Sequence, residues 1–190
     1  MKKSNGKQHL YLPELLTKLQ TDTGRTFVAV CSGGAAMSQP CGGAALFSEM
    51  LAHVPPGVRF VVSIVCGNDY YGQTVRPVTA QMEMAIADYC ARVKTLATVH
   101  LAVTGMPSDL WGYQSWMSAS NWQQYDANSA SFRALFEEHG AVAITGASEL
   151  AGIRLADNDG HVHVDSEDVV RDAYFSWVRQ AVRALPPPPP

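Results

Sequence analysis

Apolar runs of strand length, each cut off by turn-forming residues and followed by a helical pattern, constrain this chain more than any other feature. Phe27-Val28-Ala29-Val30-Cys31 is unbroken and stops at Gly33-Gly34, and a second run over 58–65 stops at Cys66-Gly67-Asn68-Asp69. Strands that read apolar throughout, instead of alternating, are those buried on both faces of a parallel sheet. Val99-His100-Leu101-Ala102-Val103 and residues 141–145 supply two more. Helical stretches separate them. Leu12, Leu15, Leu16 and Leu19 fall on one face, 44–52 runs into Pro55-Pro56-Gly57, and Met82, Ile86, Tyr89, Cys90, Val93 and Ala97 trace a stripe over 77–97. A helix is expected from about Asp126 to His139, with Gly140 at its C′ position. A last one opens at Asp165-Ser166-Glu167-Asp168 and turns Val170, Ala173, Tyr174, Trp177, Val178 and Ala181 inward. Strands alternating with amphipathic helices define an α/β chain, here a three-layer αβα sandwich around a mostly parallel, flavodoxin-like sheet.

The 190 residues fit one domain over 1–185, with a polyproline tail at 186–190 that reads as a stiff or solvated end. Charged residues are 16% of the chain and apolar ones 47%, which favours a packed core over disorder. The net charge is −3 and no basic cluster stands out, so no nucleic-acid partner is expected. The apolar runs are far too short to span a bilayer, and the N-terminus lacks the apolar core of a secretory signal, which reads as a cytoplasmic protein without a membrane partner. Cys31, Cys41, Cys66 and Cys90 lack CxxC spacing and read as small buried hydrophobes. Neither a metal nor another cofactor is expected.

In a parallel sheet the ligand crevice lies outside the carboxyl ends of the strands. Gly33-Gly34 and Gly67-Asn68-Asp69 follow such ends, and Asp157-Asn158-Asp159-Gly160-His161-Val162-His163 precedes the last helix. A glycine N–H and an Asn amide aimed at one point can hold an oxyanion, and a nearby His can act as general base. The segment 106–123 reads as a long loop holding Trp111, Tyr113, Trp116 and Trp122, suited either to packing or to contact with an acyl or aglycone group. This is the layout of a serine esterase.

On these residues the chain resembles the SGNH (GDSL-type) hydrolases over residues from about 10 to 185. Cys66-Gly67-Asn68-Asp69 is similar to their G-x-N-D block, with Cys at the first glycine. His163, followed by the capping sequence of the last helix, is similar to their D-x-x-H block, with Asp159 one residue further from the His than the pattern has it. The resemblance implies Gly34 and Asn68 as oxyanion donors, His163 as the base and Asp159 as the residue orienting it. Ser32 in Cys31-Ser32-Gly33 is one candidate nucleophile, but from there to Asn68 there is room for one crossover unit of about 30 residues, where the family has two. The strand at 27–31 therefore matches the family's second strand, and the first strand with its intact GDS block is missing from this chain. Ser4 in Ser4-Asn5-Gly6, ahead of the Leu12 helix, then takes the nucleophile position.

The resemblance implies hydrolysis of a small-molecule ester or acetyl group by Ser4 and His163. The alternative is a catalytically impaired or N-terminally truncated relative, a pseudoenzyme that keeps the crevice as a binding surface. A nucleotide binder is disfavoured because no glycine-rich loop opens a helix with the spacing that cradles phosphate.

Overall fold

In the computed structural model, described over residues 11–25, 49, 51–64, 77–103, 118–144 and 167–185, three parallel strands follow one another across a sheet. They are β1 (Val58–Ile64), β2 (Ala97–Val103) and β3 (Val142–Ile144), in that spatial order. Val58 pairs with Ala97 and Ile64 with Val103, while Leu101 pairs with Val142 and Val103 with Ile144. Parallel neighbours need a crossover, and the helices α2 (Ala80–Leu96) and α3 (Ala119–Glu138) supply it. Strands added in one direction through right-handed crossovers put both helices on the same face of the sheet. Accordingly Met82, Ile86, Tyr89, Cys90 and Val93 of α2 share one apolar cluster with Tyr125, Phe132 and Phe136 of α3 and with Ala102 of β2.

Each helix has local causes. Thr79 caps α2, its hydroxyl accepting from the Met82 N–H at 3.3 Å. The expected stripe is buried except at its end, because Ala97 leaves the helix in an extended conformation and opens β2. Ser118 caps α3 and accepts from the Asn121 N–H at 3.3 Å, so that helix begins seven positions before the expected Asp126, at Ala119. Trp122 consequently sits in the opening turn of a helix, and the loop expected over 106–123 ends before it. At the other end Gly140 has φ +82°, the left-handed conformation that glycine adopts without Cβ strain, and its N–H closes onto Glu137.

By packing the chain forms two units, Met1–Ala29 with Gly146–Pro190, and Val30–Thr145. The sheet, α2 and α3 belong to the second. In the first, α1 (Tyr11–Thr23) packs against α4 (Glu167–Ala184), with Leu19, Trp177, Val178 and Val182 buried. Lys18 pairs with Asp172 at 2.8 Å, and Arg183 donates to Asp22 at 3.1 Å. Among the described residues no helix is long and apolar enough to cross a membrane.

Candidate functional site

All three strands run the same way, so their last residues, Ile64, Val103 and Ile144, lie together at one edge of the sheet. The chain leaves β1 into the stretch bearing Gly67 and Asn68, leaves β2 into the stretch bearing Trp111 and Trp116, and leaves β3 towards Asp159 and His163. Helix α4 opens at Glu167, soon after His163, in the register expected from the sequence. Ser4, Ser32, Gly34, Asn68, Trp111, Trp116, Asp159 and His163 themselves lie outside the described residues.

One polar cluster that sequence reasoning missed lies under the same sheet. Ser63, next to last in β1, and His100 in β2 point to the face covered by α2 and α3. Ser63 Oγ is 2.6 Å from the Tyr89 hydroxyl and 2.8 Å from His100 Nε2. The Tyr89 and His100 rings meet edge to face at 5.7 Å, and the Phe136 ring stands against both. Ser63 is 6% exposed, His100 5% and Tyr89 5%, so no substrate of any size reaches them. A signal was available: Ser63 and His100 are polar residues set inside two largely apolar strands, away from Arg59 and Thr98 near the strand starts.

Burial shapes the chemistry of this cluster. It pushes the His100 imidazole down to about 4, helped by the Lys94 charge, so the ring is neutral near pH 7. It pushes the Tyr89 phenol up to about 12 against the opposing effect of the Ser63 hydrogen bond, and the Cys90 thiol up to about 11. Among the described residues His100 Nδ1 has no hydrogen-bond partner. Ser63 Oγ stands between the Tyr89 hydroxyl and His100 Nε2, and either partner of each bond can donate. Shut away from the surface, Ser63 and His100 form a buried hydrogen-bonded junction and not a nucleophile–base pair. Cys90 is a free, buried thiol, as the sequence suggests.

This parallel sheet with crossover helices is an α/β fold, and solved structures similar to it include hydrolases and esterases. One is LAE5, an alpha/beta hydrolase enzyme from the metagenome of Lake Arreo, Spain, at TM-score 0.61 and 16% identity over 87% of this chain and 79% of that one. Another is Axe2, an acetylxylan esterase from Geobacillus stearothermophilus, at TM-score 0.62 and 14% identity over 93% of this chain and 84% of that one. A mutant of Axe2, described as an acetyl-xylooligosaccharide esterase, superposes at TM-score 0.65 with 13% identity over the same shares. No family model matches the sequence, and no curated protein matches it.

Proposed function

We propose that this protein is an SGNH-like serine esterase that removes an acyl group, acetyl in the first instance, from a small-molecule ester. The observation that carries the reading is the fold likeness to acetylxylan esterases over 93% of the chain. The common carboxyl edge of the three strands, from which the Gly67-Asn68 and Trp111–Trp116 stretches depart, supports it.

In this reading the Ser4 oxygen attacks the ester carbonyl carbon as His163 accepts the hydroxyl proton, and Asp159 holds the imidazole in the required tautomer. The carbonyl oxygen becomes an oxyanion, stabilised by the Gly34 N–H and the Asn68 amide. As it collapses, the bond to the leaving alcohol breaks and His163 returns the proton to that alcohol. Water, deprotonated by His163, then attacks the acyl-serine, releasing the acid and restoring Ser4. Trp111, Trp116 and Trp122 contribute apolar contact to the substrate. The competing reading, a non-catalytic binding module, rests on the departure from the GDS block and is the less favoured of the two.

Hydrolysis of p-nitrophenyl acetate by the wild type and by Ser4→Ala, Ser32→Ala and His163→Ala tests the proposal. Ser4→Ala and His163→Ala should each abolish turnover while Ser32→Ala retains it. Activity surviving His163→Ala removes the assigned base, and loss confined to Ser32→Ala transfers the nucleophile to that residue.

A further inference from the structure

Strand β2 and helix α2 are held in place by different forces. β2 is the middle strand of the three, paired with β1 from Ala97 to Val103 and with β3 at its carboxyl end, and His100 lies opposite Val61. Moving it breaks backbone hydrogen bonds on two sides. α2 packs on β2 and α3 through the apolar cluster that includes Ile86, Cys90 and Val93, and apolar packing is non-directional. The bond from Tyr89 to Ser63 adds a directional tie between helix and strands.

His100 is the group in this seam that can charge. The Ser63 hydroxyl faces it from β1, the Tyr89 ring and the Lys94 charge from α2, and the Phe136 ring from α3; among the described residues no carboxylate does. Cys90, in the same cluster, is a neutral thiol and supplies no charge. An uncharged imidazole is accommodated there by its bond to Ser63 at 2.8 Å. An imidazolium has two N–H groups to satisfy and a charge to solvate, whereas among the described residues Nδ1 has no hydrogen-bond partner. The new charge also repels Lys94, which α2 carries. One movement relieves both penalties: withdrawal of α2 admits water to the ring and takes Lys94 with it. Parting of the strands is not needed for either.

We propose that the buried His100 junction is an acid-sensitive latch: uncharged it keeps α2 seated on the sheet, and on taking up a proton it releases α2 while the strands stay paired. The direction follows from burial first and the Lys94 charge second, which hold the seated ring at about 4 against 6.5 for an ordinary histidine. The released state therefore binds the proton first. Seating is favoured in full above about pH 6.5 and weakens as pH falls towards 4. The latch is a property of the core and stands apart from the esterase reading.

Amide hydrogen exchange of the full chain at pH 7 and pH 5, corrected for the intrinsic pH dependence of exchange, tests it. A 17-residue helix released from its packing is marginal in water and opens its amides. Protection of the α2 amides over 85–93 should therefore fall about twentyfold between the two pH values and stay below that of the β2 amides. In His100→Gln the α2 protection should change by less than about twofold. Unchanged α2 protection in the wild type overturns the latch, and so does an equal fall in His100→Gln. Exchange of α2 and β2 amides at one common level overturns it as well, since the unit then unfolds as a whole. Where His100→Gln does not fold, NMR titration of the wild-type ring decides: it should stay uncharged in the folded protein down to about pH 5, and a folded-state titration near that of an ordinary histidine contradicts the proposal.

Discussion

Ser63 Oγ and His100 Nε2 lie 2.8 Å apart on adjacent parallel strands, sealed beneath two helices. At that distance a serine and a histidine resemble the start of a catalytic triad. Burial and the onward bond to Tyr89 make them part of the core instead.

The first consequence is a pH dependence of stability. His100 titrates near 4 when folded, because burial first and the Lys94 charge second disfavour its cation, against 6.5 for an ordinary histidine. Among the described residues no acid compensates: Ser63 faces it from β1, Tyr89 and Lys94 come from α2, and Phe136 from α3. The unfolded chain binds the proton first. The contribution of His100 is thus fully present above about pH 6.5 and is lost as pH falls towards 4, by about 2 kcal/mol between pH 7 and pH 5. Urea unfolding of wild type and His100→Gln at both pH values checks this. The variant should lose that much less stability on acidification, and parallel losses would place the titrating group elsewhere.

Phe136 is fully buried and backs both aromatic members of the junction. Truncation by Phe136→Ala removes that support and opens a cavity, costing about 3–5 kcal/mol. Equilibrium urea denaturation measures it, and a loss under about 1 kcal/mol would mean that the site collapses to fill the space.

Helix α2 depends on its cap. Thr79→Ala removes the acceptor for the Met82 N–H and should destabilise the protein by about 1 kcal/mol, with Thr79→Ser close to wild type. Equal stability of the alanine and serine variants would show that the hydroxyl contributes nothing there.

Much of this architecture was legible in the sequence, and the exceptions share a cause. The strand at β1, the buried stripe of α2 and the glycine closing α3 all follow from uninterrupted apolar patterning and from a position that needs positive φ. The first turns of α3 were missed because Ser120, Asn121, Gln123 and Gln124 leave no apolar period there to mark a helix. Ser63 and His100 escaped notice for the converse reason. Each is a polar residue inside a largely apolar run, and their pairing depends on strand register, which appears only once β1 and β2 are aligned. Of the candidate site, the strand edge and the helix after His163 were anticipated, since both follow from order along the chain.

Covalent catalysis by Ser4 can be read out by labelling with a fluorophosphonate followed by peptide mapping. The reagent phosphonylates a serine activated by its own base, so one modification is expected, on Ser4, abolished in His163→Ala. A label on Ser32 or Ser63, or a wild-type protein that takes up none, would contradict it.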